Sequence, residues 1–383
     1  MAWEVRKLGD VCEILDNKRK PITKRDRIEG EYPYYGATGI LSYVDEYIFD
    51  EKLVLIGEDG AKWESGDNTS FIVEGKYWVN NHAHVIRPNR KIVLDEWIVN
   101  YLNFSDLRVY VTGLTVPKLN QEKMKSIEIP IPPLAEQKRI VAKLDEAFSA
   151  ILTAKENAEK NLKNAKELFE SYLNNIFEEK GKDWEEKKLG EVAEIKNGYS
   201  FTSKEFSSKN ELKSVKITNV GVKEFIIDTE NNVPSKYKTG YENYQVKVGE
   251  IVIALTRTII SAGLKVAIVP KDYDAALINQ RVSAISSTKY TSNMFLYNYL
   301  CTEHVLKYVK KKVNTLMQPN LSVNDLRNTP IPLPPLKEQQ RIVSKLDALS
   351  EQTKKLEAVY AKKIADLDEL KKSILQKAFR GEL

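Results

Sequence analysis

Two polar segments of this chain carry side chains that can pair with the edges of nucleic-acid bases. Residues 78–84 supply asparagine amides and histidine imidazoles, and residues 278–281 supply amides and a guanidinium group. Such groups form paired hydrogen bonds with adenine or guanine in the major groove of DNA. A turn or a surface hydrogen bond is the commoner role for any one of them, so base recognition is a hypothesis about the two sets. Their members are Asn80, Asn81, His82, His84, Asn279, Gln280 and Arg281.

A basic segment precedes the first set, at residues 18–27, where six cations accompany one carboxylate. An aromatic turn follows at residues 32–39, and cations beside such groups suit a nucleic-acid backbone. A second group of lysines, at residues 307–312, fits either DNA or the last turn of a helix, whose macrodipole attracts cations. The remaining residues predicted to bind DNA are Lys18, Arg19, Lys20, Lys24, Arg25, Tyr34, Tyr35, Thr38, Thr218, Asn219, Thr256, Arg257 and Thr258.

Catalytic motifs are absent from the sequence. His82 and His84 have the spacing that places two side chains on one face of a strand, but no cysteine or second histidine cluster completes a metal site. Gly57 and Gly60 have the wrong spacing for a phosphate-binding loop, and the two acidic residues between them would repel phosphate. We therefore predict a binding protein that has no metal and no cofactor of its own.

Length and composition indicate two or three globular domains. The 383 residues are 42% hydrophobic and 30% charged, and both values are ordinary for folded proteins. The net charge of +5 is small, so binding to a polyanion would depend on local patches. Two distant cysteines, Cys12 and Cys301, make no disulfide framework. The sequence shows neither a signal peptide nor an apolar run of about 18 residues, so we expect a cytoplasmic protein with no membrane span.

One segment of the sequence occurs twice, at residues 132–145 and 334–347. Both copies read Pro-Pro-Leu-x-Glu-Gln-x-Arg-Ile-Val-x-Lys-Leu-Asp. A shorter repeat lies at the start of each half of the chain, with Trp3-Glu4 in the first half and Trp184-Glu185 in the second. Two similar modules in one chain indicate a molecule that meets its partner at two places.

Each copy of the repeated segment begins a long predicted helix. Apolar residues recur at intervals of three and four through residues 140–176 and 342–378, without glycine or proline. Helices of about 45 residues would be roughly 65–70 Å long. Their narrow apolar stripes must pack on a partner, and the short link at residues 181–183 favours antiparallel packing on each other. Burial of the helices in two separate cores is the alternative. The predicted packing and partner-binding residues are Ile140, Leu144, Ile151, Leu162, Phe169, Ile342, Leu346, Leu349, Leu356, Ile364 and Leu367.

These patterns predict an α+β fold with pseudo-two-fold symmetry. Two similar mixed α/β globular domains, at residues 1–133 and 182–335, alternate with helices at residues 134–181 and 336–383 that form an antiparallel coiled coil. The chain would be quasi-circular, with its C-terminus near Trp3. Turn-rich strands dominate each globular domain, and the first domain also contains a predicted helix at residues 95–110.

The motifs resemble those of specificity subunits from type I restriction–modification systems. The matching elements are Pro-Tyr-Tyr-Gly-Ala-Thr-Gly at residues 33–39, Asn-Asn-His-Ala-His-Val at 80–85 and Ile-Asn-Gln-Arg-Val at 278–282. The doubled Pro-Pro-Leu segment matches too, as does Leu-x-x-Ser-x-Leu-x-x-x-Phe at residues 168–177 and 370–379. The resemblance covers essentially the whole chain.

This resemblance implies two target recognition domains, each of which reads half of a bipartite double-stranded DNA site across an unspecified spacer. It also implies that two adenine methyltransferase subunits dock on the helices, and that ATP-driven restriction subunits join the core. S-adenosylmethionine and ATP would be used by those partners, and the subunit itself would be non-catalytic. Three alternatives remain: a targeting subunit of a fused or two-subunit restriction system, a scaffold that binds only protein, and a nuclease or methyltransferase that acts alone.

Overall fold

A computed structural model describes residues 3–113, 115–228, 230–313 and 319–383. The chain forms two compact units, of which the first comprises Met1–Lys160 and Tyr360–Leu383 and the second comprises Asn161–Val359. Each unit therefore contains one globular domain and one half of each of two long helices. None of the helices in the described parts of the chain is long and apolar enough to cross a membrane.

The first globular domain consists of short strands, because brief apolar runs alternate with turn residues in its sequence. Its strands are β1 (Glu4–Lys7), β2 (Cys12–Ile14), β3 (Tyr32–Gly36), β4 (Gly39–Val44), β5 (Phe49–Asp50), β6 (Leu53–Gly57), β7 (Ser70–Val73), β8 (Lys76–Val79), β9 (Ala83–Pro88) and β10 (Glu128–Ile131). Its helices are α1 (Leu8–Val11), α2 (Asp95–Phe104) and α3 (Gln121–Lys125), and α4 (Leu134–Glu178) follows them.

The second globular domain repeats this construction. Its strands are β11 (Glu185–Lys188), β12 (Ala193–Asn197), β13 (Ser214–Val215), β14 (Ile251–Ala254), β15 (Ile259–Ile260), β16 (Gly263–Leu264), β17 (Val266–Ile268), β18 (Leu277–Ile278), β19 (Val282–Ser287) and β20 (Pro330–Leu333). Its helices are α5 (Leu189–Val192), α6 (Asn293–Leu300), α7 (Glu303–Lys312) and α8 (Val323–Arg327), and α9 (Leu336–Arg380) follows them.

One four-stranded sheet of the first domain corresponds strand by strand to a sheet of the second. The order β2-β9-β6-β7 in the first domain matches β12-β19-β14-β17 in the second. A parallel pair recurs as well, because β3 runs parallel to β8 and β13 runs parallel to β18. The proline-rich exits form the edge strands β10 and β20, which pair antiparallel with β1 and β11. An edge strand tolerates proline, which lacks a backbone donor.

The two long helices run antiparallel within each unit. In the first unit, Lys155 of α4 forms an ion pair with Asp368 of α9 at 2.7 Å, and Arg139 donates to the carbonyl of Leu383. Low numbers in one helix thus meet high numbers in the other. In the second unit, Leu173 and Phe177 of α4 share an apolar core with Ile342 and Leu346 of α9. The predicted antiparallel packing is confirmed.

The closing contacts of the two helices are also equivalent. In the first unit, Phe379 lies 5.0 Å from the ring of Trp97, and a Cβ atom on Gly381 would lie 3.2 Å from Trp3. In the second unit, Phe177 lies 6.1 Å from the ring of Trp184. The predicted closeness of the C-terminus and Trp3 is confirmed.

The predicted packing residues of the helices are buried or half-buried, with one exception. Leu356 is 41% exposed, whereas Thr353 is only 3% exposed. Glu357, four residues after Thr353, is half-buried, so the packed face passes through Thr353 and not through Leu356. Leu356 therefore does not pack between the helices, and partner binding by its exposed side chain stays a prediction. The buried members of the predicted set are Ile140, Leu144, Ile151, Ile342 and Leu346, and the half-buried members are Leu162, Phe169, Leu349, Ile364 and Leu367.

The predicted helix at residues 95–110 is shorter than the sequence indicated. Helix α2 ends at Phe104, and a separate 3-10 turn occupies Leu107–Tyr110. The break occurs because the Asp106 side chain accepts a hydrogen bond from the backbone of Arg108 and so caps the new turn. The lysines at residues 310–312 lie in the last turn of α7, the helix C-terminus that was one of their two interpretations.

The glutamine of the repeated segment connects each globular domain to the start of its long helix. Gln137 is fully buried, accepts from the backbone of Leu94, and donates to the carbonyls of Ile92 and Pro132 at 2.9 and 2.8 Å. Gln339 donates to Tyr290 and Pro334, but its Oε1 has no partner among the described residues. The same residue thus satisfies more backbone groups in the first unit than in the second.

This difference predicts unequal costs for the same substitution. We expect Gln137→Leu to lower the free energy of unfolding by about 3 kcal/mol, because a buried N–H and two carbonyls lose their partner. Gln339→Leu should cost about 1 kcal/mol, because it also removes an unpaired oxygen. Differential scanning calorimetry of both variants measures the difference, and a larger loss for Gln339→Leu would contradict it.

Candidate nucleic-acid interface

Three loops of the first domain meet at one edge of its sheets. The backbone of Asn80 donates to Tyr35 at 3.0 Å, and the backbone of Glu58 donates to His82 at 2.9 Å. These hydrogen bonds connect residues 35–39 after β3, residues 58–60 after β6, and residues 80–82 before β9. We call these three segments the first loop cluster. Leu119 donates to Glu58 at 2.8 Å and closes the cluster from behind.

The second domain builds an equivalent cluster with the same backbone bonds. The backbone of Asn279 donates to Val215 at 2.9 Å, and the backbone of Leu255 donates to Arg281 at 2.8 Å. Leu321 donates to Leu255 at 2.8 Å, as Leu119 does to Glu58. The second loop cluster therefore comprises residues 215–219, 255–258 and 279–281. The exposed Thr38 and Thr218 occupy equivalent places in the two clusters.

Asn80 and Asn279 hold their loops instead of facing solvent. They are only 2% and 6% exposed, and the side-chain oxygen of each accepts from the backbone two residues later, in His82 and Arg281. Such turns are a common role of asparagine. Their predicted base contacts are thus revised to a positioning role, and the neighbouring exposed side chains are presented to solvent.

A buried network of charges supports the first loop cluster. The two ring nitrogens of His84 contact Asp16 Oδ2 at 2.6 Å and the carbonyl of Leu119 at 2.7 Å. Arg19 forms ion pairs with Asp16 at 3.3 Å and with Glu58. Lys118 reaches Glu58 at 2.8 Å. Two carboxylates are thus neutralised by cations inside the domain.

The charges of this network shift the pKa of both carboxyl groups. Burial raises the pKa of Asp16, but hydrogen bonds from His84, Gln121 and the Val85 backbone outweigh burial and hold it below its ordinary value. Burial likewise raises the pKa of Glu58, and hydrogen bonds from Arg19 and Lys118 lower it further than burial raises it. Both groups therefore stay ionised and keep their partners.

Asp16, Glu58 and His84 also lie close enough together to hold a metal ion. Their donor atoms, however, already face Arg19, Lys118 and a backbone carbonyl, so the carboxylate charge is balanced without a metal ion. Ion pairing explains the cluster as the structure shows it. The histidine pair considered from sequence is divided, because His82 is exposed and hydrogen-bonded to Asp59 while His84 faces inward.

The basic segment is attached to the first loop cluster. The indole of Trp78 donates to the carbonyl of Lys20 at 2.6 Å, and the backbone of Lys20 donates to Val79 at 3.3 Å. Arg19 points into the buried network, so its predicted DNA contact is also revised to a positioning role. The predicted residues that remain exposed on this unit are Lys18, Lys20, Lys24, Arg25, Thr38, Asn81 and His82.

Several other predicted DNA-binding residues lie inside their domains. Tyr34 is 1% exposed, and its hydroxyl accepts from the backbone of Ile22 at 2.9 Å. Asn219 is fully buried and donates to Ile226, and Thr258 is fully buried too. Tyr34 and Asn219, like His84, hold loops through these hydrogen bonds, whereas Thr258 Oγ1 has no hydrogen-bond partner among the described residues. Tyr35 and Thr256 are half-buried, and the exposed candidates of the second domain are Thr218, Arg257, Gln280 and Arg281.

Lys118 and Asp59 were not selected from the sequence. A weak signal existed, because Pro117-Lys118-Leu119-Asn120 recurs as Pro319-Asn320-Leu321-Ser322. In the structure these segments make equivalent bridges, from Asp59 to Lys118 and from Thr256 to Asn320. The repeat therefore extends into the loops that support both clusters.

Comparison with known proteins agrees with this arrangement. The chain matches the family described as type I restriction modification DNA specificity domain over residues 2–163 and 181–364. The MjaVIII specificity subunit of Methanocaldococcus jannaschii is 28% identical to it, over 100% of this chain and 93% of that protein. A putative type I specificity subunit of Haemophilus influenzae, S.HindORF215P, is 30% identical over 90% of this chain and 86% of that protein.

Solved structures support the fold. The HsdS subunit of Thermoanaerobacter tengcongensis matches with a TM-score of 0.62 at 22% identity, over 100% of this chain and 97% of that one. A chain solved to explain complex assembly and conformational transition of the type I R-M system matches with a TM-score of 0.73, also at 22% identity, over 100% of this chain and 98% of that one. The predicted fold class is confirmed, and the alternative of a scaffold that binds only protein is not favoured. The chain belongs to the specificity subunits of type I restriction–modification systems, as a non-catalytic subunit that recognises a DNA target.

Proposed function

We propose that each unit reads one half of a bipartite double-stranded DNA site through its loop cluster. The observation that supports this proposal is that the two loop clusters share equivalent backbone hydrogen bonds but carry different exposed side chains. Both clusters are held by equivalent hydrogen bonds, whereas Asn81 and His82 in one are replaced by Gln280 and Arg281 in the other. Equivalent supports with different exposed groups suit two readers of different sequences.

The bound subunit would direct catalytic partners to its target in the cytoplasm. We propose two adenine methyltransferase subunits and ATP-driven restriction subunits, with S-adenosylmethionine and ATP used by those partners. Exposed apolar residues on the long helices support a repeated docking place. Leu168 and Leu370 occupy the same position in the two copies of the tail motif and are 48% and 47% exposed. Exposed leucines at equivalent positions fit two copies of one partner.

A domain exchange tests independent reading by the two units. Replacing residues 184–333 with the corresponding domain of another specificity subunit should change one half-site and leave the other unchanged, because the first loop cluster is intact. Co-expression with the methyltransferase subunit, followed by genome-wide mapping of methyladenine, identifies both half-sites. Native mass spectrometry of the same complex counts the bound methyltransferase subunits, of which we expect two.

The unmodified subunit, co-expressed in parallel, is the control for this exchange. A change in both half-sites would refute independent reading. Specific and non-specific DNA binding both weaken as the salt concentration is raised. A scaffold that binds only protein would show no such salt-sensitive DNA binding.

A further inference from the structure

Arg257 adopts a backbone conformation that is unfavourable for its side chain. Its φ angle is +51°, in the left-handed region that glycine tolerates and most other residues avoid. The equivalent position of the first loop cluster is occupied by Gly60, whose φ angle is +71°. The second cluster therefore uses a strained arginine where the same turn can be made with glycine. Strain of this kind is often found at functional sites.

Arg281 lies beside this turn. Its carbonyl accepts from the backbone of Leu255, and its N–H is held by the buried side chain of Asn279 at 3.3 Å. Strand β14 ends just before Arg257, and its neighbour β19 begins just after Arg281. Both arginines are therefore attached to the ends of paired strands and are exposed.

Neither guanidinium group has a carboxylate partner in the part of the chain that the structure describes. Within the described residues no acidic side chain lies within salt-bridge distance of Arg257 or Arg281, and residues 215–219, 255–258 and 279–281 include no acid. The contrast with the first unit is direct, because Arg19 and Lys118 there are paired with Asp16 and Glu58. The cations of the second cluster remain available to a ligand.

A half-buried lysine fixes the turn that carries Arg257. Lys265 donates its ammonium group to the carbonyl of Ile217, and its backbone donates to Thr258 at 2.8 Å. Burial lowers the pKa of Lys265, and the nearby charge of Arg257 lowers it further. Two positive groups are thus held near each other in the free protein, an arrangement that an electronegative ligand would relieve.

We propose that Arg257 and Arg281 determine specificity by reading guanine in the half-site contacted by the second unit. The inference rests on the proposed bipartite recognition and names a base for one half of it. A guanidinium group matches guanine O6 and N7, and each such pair discriminates against other bases. A phosphate contact needs only a mobile cation, whereas the backbone of these two arginines is held in place beside Gln280 and Thr256. A fixed backbone favours the defined geometry that a hydrogen-bonded base contact requires.

Arg257→Gly tests the proposal with little risk to folding. Glycine is the residue of the equivalent turn and relieves the left-handed strain, so the melting temperature should be unchanged or higher. Selection from a randomised duplex library at each of two salt concentrations, together with methyladenine mapping, should reveal guanine in the wild-type second half-site. In Arg257→Gly, preference for one guanine should fall by roughly tenfold to a hundredfold. Arg281→Gln should shift preference at another guanine towards adenine, which pairs with glutamine.

Lys271→Gln provides a matched control, because it removes an exposed cation of the same unit outside the second loop cluster. It should leave the base preferences unchanged. A second half-site without guanine would overturn the proposal, as would an equal loss of affinity for all sequences with a smaller salt dependence, which indicates phosphate contact. Absence of any bipartite preference in the wild type would instead refute the proposed function itself. The base preferences at the first half-site should stay unchanged in every variant. This result would show that bipartite recognition is intact even if the guanine assignment fails.

Discussion

Asp16→Asn will destabilise the first unit by about 3–5 kcal/mol at neutral pH, because it removes one charge from a buried ion-pair network. The Asp16 side chain is 5% exposed, and it receives hydrogen bonds from His84, Gln121 and the Val85 backbone. An amide cannot balance the charge of Arg19. The variant therefore leaves Arg19 with Glu58, which also pairs with Lys118, so that two cations share one buried carboxylate.

The dependence of this loss on pH has a definite sign. The pKa of Asp16 in the folded protein lies below its ordinary value, so its stabilisation is complete above the ordinary carboxyl pKa of about 3.9. The stabilisation disappears as the pH falls through the lower folded-state pKa. The stability difference between wild type and Asp16→Asn should thus be full at pH 7 and shrink below about pH 4.

Tryptophan fluorescence during denaturant unfolding measures this effect in the correct unit. Trp3, Trp63, Trp78 and Trp97 belong to the first unit, and Trp184 alone belongs to the second. Asp106→Asn is the matched control, because it removes a carboxylate from an exposed ion pair with Arg108 while asparagine can still cap the 3-10 turn, so stability should change little. Equal free energies of unfolding for the two variants at pH 7 would refute the structural role of the network.

Asp16→Asn should also reduce selectivity at the first half-site, because Arg19 donates to the Ala83 carbonyl beside the first loop cluster.

Lengthening both long helices by one heptad will lengthen the preferred DNA spacer by about three base pairs. Seven helical residues add about 10 Å along the axis, and successive base pairs are separated by about 3.4 Å. A whole heptad keeps the apolar stripes of α4 and α9 facing each other. The natural insertion points follow Lys160 and Val359, where the boundary between the two units falls in each helix.

Duplication of residues 154–160 and 353–359 makes this variant, and methyladenine mapping after co-expression reads the spacer. A heptad inserted into α4 alone is the control. It misaligns the paired stripes, so we expect a lower melting temperature and little methylation. An unchanged spacer in the doubly lengthened variant would show that the helices do not set the distance between half-sites.

The sequence by itself determined the repeated plan of this protein. The doubled Pro-Pro-Leu segment, the heptad spacing and the paired tryptophans predict two similar domains with antiparallel helices, and the structure confirms this organisation. Such features can be read from a chain because periodic apolar positions and helix-terminating residues act locally. The buried Gln137 illustrates the limit, since its sequence repeat was visible but its hydrogen bonds to Ile92 and Leu94 were not.

Only the tertiary structure decided which polar residues face solvent. Asn80, His84, Asn219 and Thr258 look in sequence like their exposed neighbours, yet they are buried, because contacts from distant segments satisfy or enclose them. The strained turn at Arg257 was equally invisible, since its significance comes from Gly60 at the same place in the other domain. The local sequence pattern indicates which segments carry polar residues. Packing against segments that are distant in the sequence decides which of those side chains are exposed.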